Sequence, residues 1–236
     1  MAITYKQIRS QLQTVDLFSF EGHAPLDFMI NLMEGGNYSH VGMVLRDNGN
    51  NLWFWDAPGV GKQFPDPYKG GQAHKGCRVA DLDTLLGYYM QQMQIKTFTW
   101  RQLTPSITGN AFAKLVNFIT KVDGLPFPGD GANFPDWFKN LFPPGDEKEL
   151  NLSAGLLLTY MTGKYLQEPI SKYYFCAQLV AATYMYLGLL DTTPLPPNGY
   201  APSNFDDQPT PIKLNGAKLG PVTTVTWDGA AEAMTA

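Results

Sequence analysis

The stretch SHVGMVLRDNGNNLWFWD, residues 39–56, decides the fold class. Two runs rich in strand formers, 39–46 and 52–56, flank DNGNN, and Asn48-Gly49 is a strong signal for a hairpin turn. An antiparallel pair is therefore predicted. Its register depends on the turn. A two-residue loop at Asn48-Gly49 opposes positions 41 and 56 and sends the side chains of His40 and Asp56 to different faces. A loop of three or five residues opposes 42 and 56, so that His40, Gly42 and Asp56 share a face, because strand side chains alternate. In the second register the Asp56 carboxylate can orient the His40 imidazole, with Gly42 leaving room for the approach. A strand histidine is usually structural, and an aspartate at a strand end usually accepts turn hydrogen bonds. The pair therefore matters only if a nucleophile comes within reach.

Outward from the hairpin, VDLFSF (15–20) and QMQIKTFTW (92–100) read as further strands. RVADLDTLLGYY reads as a short strand followed by a capped helix. TGNAFAKLVNFITKVDG reads as a helix with Phe112, Leu115, Val116, Ile119 and Val122 on one face and Gly124 as its stop. Residues 57–77 form a Gly- and Pro-rich loop, and a second Pro-rich insertion follows Gly124, with Pro135 suited to the first turn of a short helix. LSAGLLLTYMTG (152–163) reads as a helix too short to span a bilayer, and Cys176 to Leu190 as another, with Leu179, Val180, Thr183, Leu187 and Leu190 on one face. VTTVTW is a late strand candidate, with no internal repeat anywhere in the chain.

With 236 residues, 44% of them hydrophobic, the chain holds enough apolar material for one elaborated domain. A net charge of −4, with Lys and Arg scattered, gives no nucleic-acid footprint. The amino terminus lacks the order of a signal peptide and no run of apolar residues is long enough for a membrane span, so a cytoplasmic location without an integral membrane segment is expected. Cys77 and Cys176 are expected to be thiols and, with three histidines at unrelated spacings, to form no zinc site; no metal or other cofactor is expected. APGVGKQ fails as a phosphate loop because Asp56 and Gln63 stand where Gly and Ser or Thr are required.

Cys176 stands at a helix start, where unpaired N–H groups and the helix dipole stabilise a thiolate, although a free cysteine by itself is more often a core residue. Of the three histidines, His23 and His74 lie in loops and His40 opens a strand, which makes His40 the best base.

In order and character, DLFSF, YSHVGMVL, WFWDAPGV and YYFCAQLV resemble the circularly permuted papain-like branch of the NlpC/P60 superfamily, the YiiX-like proteins, over roughly Asp16 to Phe205. The resemblance implies an α+β permuted papain-like fold, an antiparallel sheet or partial barrel packed on a helical subdomain. It implies Cys176 as nucleophile, His40 as general base and acid, and Asp56 as the group that orients His40. Asp56 stands where the family commonly has Glu, and so does Gln178. The implied domain is 1–205, with 206–236 a C-terminal extension.

The expected activity is a cysteine hydrolase or acyltransferase acting on a peptide, amide or lipid acyl substrate through a thioester. The alternative is a non-catalytic structural or interaction protein, such as a virion component of a large DNA virus, docking an assembly partner through the C-terminal tail.

Overall fold

The computed structural model describes residues 2–21, 38–58, 64–93, 95–127, 172–193, 195–206 and 212–229. The helices expected near Pro135 and over 152–163, and His23, lie outside these residues. In chain order the elements are β1 (Ile3–Thr4), α1 (Tyr5–Arg9), β2 (Leu17–Phe20), β3 (His40–Arg46), β4 (Leu52–Asp56), β5 (Pro65–Asp66), β6 (Gln72–Ala73), β7 (Arg78–Asp81), α2 (Leu82–Gln91), β8 (Thr97–Arg101), β9 (Leu103–Thr104), α3 (Asn110–Val122), α4 (Cys176–Leu187), β10 (Lys218–Leu219) and β11 (Thr223–Thr226). Seven strands form one sheet in the order β1-β11-β8-β2-β3-β4-β7. Within it only β1 and β11 pair in parallel. The class is α+β.

The hairpin turn takes three residues. Asn50 N–H donates to the Asp47 carbonyl at 3.0 Å, and Asp47 N–H donates to the Asn51 carbonyl at 3.1 Å. Asn50 takes the left-handed conformation at φ 67°, the usual ending of a three-residue connection. Asp47 holds the turn by accepting from Asn51 N–H and from Trp53 Nε1. Arg46 opposes Leu52 and Met43 opposes Trp55, a register that carries on to Gly42 opposite Asp56. His40 and Asp56 therefore share a face, the second of the two registers considered from sequence.

Gly42 has a different reason for being glycine than the one anticipated. A Cβ there would lie 2.5 Å from Phe54 Cζ and 3.0 Å from the Trp55 carbonyl oxygen, so the space above Gly42 belongs to the Phe54 ring. Phe54 is fully buried and cannot swing aside. Gly42→Ala is expected to cost about 1–3 kcal/mol through overpacking, read as a shift in urea midpoint at unchanged m-value. A cost below about 0.5 kcal/mol would show that the ring relaxes freely.

Both faces of the sheet are covered. Leu17, Val41, Met43, Leu45, Trp55 and Val79 pack with residues of α3 and α4 on one side. Phe18, Phe20, Val44, Phe54 and Ala80 pack with residues of α1 and α2 on the other. Strand residues of both parities are consequently apolar, and each fully buried large side chain contributes about 1.5–3 kcal/mol. α4 is buried on every side from Cys176 to Tyr184, so the single apolar stripe read from its sequence widens to the whole surface of a central helix.

Thr223–Thr226 are built into this sheet. β11 lies between β1 and β8, and Arg101 of β8 donates to the carbonyls of Phe205, Asp206 and Gly220. The late strand candidate VTTVTW corresponds to β11. The loop 57–77 carries the small β5–β6 hairpin. Among the described residues no helix is long and apolar enough to cross a membrane.

Candidate active site

His40 is the first residue of β3, with its ring packed against Phe20 and Tyr89 at centroid distances of 6.0 and 6.3 Å. Its Nε2 lies 3.0 Å from Asp56 Oδ2 across the hairpin. The Cys176 thiol lies close enough to the ring to help raise its pKa, alongside Asp56. The thiol in turn lies 3.9 Å from the Ser39 carbonyl oxygen, to which it donates. Cys176, His40 and Asp56 thus come together at the end of the sheet where β3 begins, although they are scattered over the sequence.

The helix that brings Cys176 there is fixed by two polar ties inside the core. Trp55 Nε1 donates to Thr183 Oγ1 at 3.3 Å, and Tyr184 Oη donates to the Val15 carbonyl at 3.1 Å. Cys176 is its first residue, so the Cys176 N–H has no acceptor within the helix and is free to face an incoming oxygen. Phe175, at the N-cap, has no side-chain acceptor to offer. Gln178 compensates from the other side: its Oε1 accepts the Phe175 N–H at 3.4 Å, one half of a capping box. The position where the resemblance has Glu is therefore occupied here by a residue that trims the helix start.

Asp56 is completely buried, and the sequence reading missed the residues that make this tolerable. Arg78, 3% exposed and directly opposite Asp56 in the β4–β7 register, donates through Nε to Asp56 Oδ1 at 3.0 Å. Its guanidinium stacks 5.1 Å from the centre of the Phe64 ring. Tyr89 of α2 adds its hydroxyl to Asp56 Oδ2 at 3.4 Å. RVAD was recognisable as a strand. Its pairing with β4, which puts Arg78 on Asp56, is a long-range fact with no local signal.

Burial alone would raise the Asp56 carboxyl, but Arg78 and then His40 outweigh it and hold it below the ordinary carboxylate range. Burial alone would lower His40, but Asp56 and Cys176 outweigh it and push the ring up to about 10. The signs give a stability window. Asp56, depressed in the folded state, contributes above the unfolded carboxylate value of about 3.9, and the contribution is lost as pH falls through its folded value. His40, raised in the folded state, contributes fully below its ordinary value of 6.5, and the contribution is lost as pH climbs to about 10. Urea unfolding across pH is expected to show both flanks, with the alkaline flank much reduced in His40→Ala. An unchanged alkaline flank in that variant would assign the loss to other groups.

Charge balances at this site in either protonation state. Arg78 neutralises Asp56, and a proton moved from Cys176 to His40 creates a thiolate and imidazolium side by side. The arrangement sets a thiol at a helix N-terminus beside an imidazole that a buried carboxylate holds from behind. Cys77 contrasts with it. It is fully buried, and burial, reinforced by Asp123 and Asp56, pushes its thiol well up. The apolar groove lined by Trp53, Tyr68, Val79, Phe112 and Leu115 belongs to the α3 side and includes none of the three site residues.

No protein-family model matches the sequence, and no curated protein matches it. Among solved structures, the crystal structure of metalloprotein YiiX from Escherichia coli O157:H7, DUF1105, is similar at 14% sequence identity, covering 92% of this chain and 97% of that chain with a TM-score of 0.45.

Proposed function

We propose that the chain is a cysteine-dependent acyl hydrolase or acyltransferase, a permuted papain-like member of the NlpC/P60 superfamily acting on an amide or ester. The observation that carries the reading is a single imidazole held between a buried, Arg-paired carboxylate at 3.0 Å and a thiol at a helix N-terminus.

His40 Nδ1 takes the Cys176 proton and the thiolate attacks the acyl carbon. The oxyanion that forms is met by the Cys176 backbone N–H. Collapse expels the alcohol or amine, which leaves with the proton from His40, and a thioester remains on Cys176. Water or an acceptor, deprotonated by the same imidazole, completes the cycle. Asp56 orients the ring and stabilises its charge without taking the proton, because Arg78 holds the carboxylate ionised.

An activated acyl ester tests this directly. Incubation with a p-nitrophenyl ester is expected to release a burst of about one equivalent of nitrophenol and to add one acyl mass to the peptide containing Cys176, neither of which occurs in Cys176→Ala. A folded protein that forms no adduct with short-chain or long-chain esters would favour the non-catalytic assembly role instead.

A further inference from the structure

A second cluster of chemistry-bearing side chains lies outside the Cys176 site. Asp66 ends β5, His74 follows β6, and Asp123 follows the last residue of α3. One donor atom from each of the three lies within 4.8 Å of the other two. His74 Nε2 is 3.1 Å from Asp66 Oδ2 and 3.4 Å from Asp123 Oδ1. Tetrahedral coordination at about 2.0 Å per ligand requires donors about 3.3 Å apart, which the two measured separations bracket.

The orientation of the donors is fixed from behind. His74 Nδ1 lies 3.0 Å from the Lys75 carbonyl oxygen, an acceptor only, so Nδ1 carries its hydrogen and Nε2 is the nitrogen turned on the two carboxylates. Asp66 accepts Tyr68 N–H at Oδ1 and Val79 N–H at Oδ2, at 2.8 and 2.6 Å. Supports of this kind recur around metal ligands. The competing occupant of Nε2 is a proton, which would lie nearer Asp66 at 3.1 Å than Asp123 at 3.4 Å. Asp123, whose side chain is 1% exposed, has no hydrogen-bond donor on either oxygen. A buried carboxylate needs close cationic partners, and here His74 stands at ion-pair rather than hydrogen-bond geometry. Its other cationic neighbour, Lys69 Nζ, stands 3.6 Å away on a side chain 40% exposed and free to withdraw.

We propose that Asp66, His74 and Asp123 bind one divalent transition ion, with Zn²⁺ best suited to a mixed imidazole and carboxylate set, the remaining position going to water on the half-open His74 side. The ion is structural. It joins the β5–β6 hairpin to the end of α3, next to the backbone pairs Cys77 N to Leu125 O and Gly124 N to Cys77 O. That junction leads directly into Arg78 on one side. On the other, Pro126 accepts the Tyr174 N–H just ahead of Cys176. The inference rests on these residues and stands whether or not Cys176 is a nucleophile.

The test uses the full chain carrying Cys176→Ala, which removes thiolate competition, titrated with Co²⁺ by visible absorption and with Zn²⁺ by calorimetry. One ion per chain is expected, with a zinc-dependent rise in Tm. Asp123→Asn, close to isosteric, is expected to weaken binding about 100-fold, and His74→Ala by at least as much. Lys69→Met removes a competing ammonium and is expected to tighten binding several-fold, a gain that no misfolded variant can produce. Absence of binding in the parent chain, or binding indifferent to Asp123→Asn and His74→Ala, overturns the assignment.

Discussion

Alkylation of Cys176 by iodoacetamide at neutral pH is expected to run at least about 100-fold faster in the native protein than in His40→Ala, the scale of a positioned general base. Among the described residues the His40 imidazole stands beside Cys176, and Asp56 and Cys176 together keep its charge to about pH 10. In the variant no imidazolium stands beside the thiol, and alkylation at neutral pH should be slow. Cys77 supplies the internal control: fully buried, it should stay unmodified in both proteins under native conditions. Peptide mapping after a short exposure separates the two cysteines. Equal, slow labelling of Cys176 in both proteins would return it to the core as an inert thiol.

Arg78→Met is expected to lower stability by about 3–5 kcal/mol at neutral pH, the cost of leaving a buried ion without its partner. Asp56 has no exposure to water, and with Arg78 gone only His40 and the Tyr89 hydroxyl remain to it among the described residues. The variant should show Asp56 shifted upward. The deficit is therefore largest above the ordinary carboxylate range and shrinks as acid protonates Asp56, which is the sign that distinguishes a lost ion pair from a lost packing contact. Arg78→Met with Asp56→Asn removes both charges and should recover a large part of the loss, a coupling that a double-mutant cycle in urea measures. A deficit of less than about 1 kcal/mol, or one independent of pH, would mean that Arg78 acts mainly through its stacking on Phe64.

The two predictions are linked by geometry. In the proposed mechanism Asp56 orients His40 while ionised, and Arg78 helps to hold its carboxyl below the ordinary carboxylate range. Arg78→Met should therefore also slow Cys176 alkylation at neutral pH, in a protein whose Cys176, His40 and Asp56 are all intact.

Much of this was legible in the chain because it is written locally. The hairpin at 39–56, the helices beginning at Asn110 and Cys176, and the strand at 223–226 each carry turn residues, caps or periodicity within a dozen positions. Cys176, His40 and Asp56 could be named because a helix start, a strand start and a strand end are local features too. The strand alternation was blurred for a physical reason: with helices on both faces, the sheet buries residues of either parity, and period 2 disappears from β2.

Local sequence signals specify the elements, the α+β class and the chemical types at one candidate site. Tertiary structure alone decided the three-residue turn that aligns His40 with Asp56, the pairing that lays Arg78 against Asp56, the insertion of β11 into the sheet and the meeting of Asp66, His74 and Asp123. These are contacts between distant segments, fixed by burial and by the demand that buried polar groups find partners, and that demand is met only when the whole chain has folded.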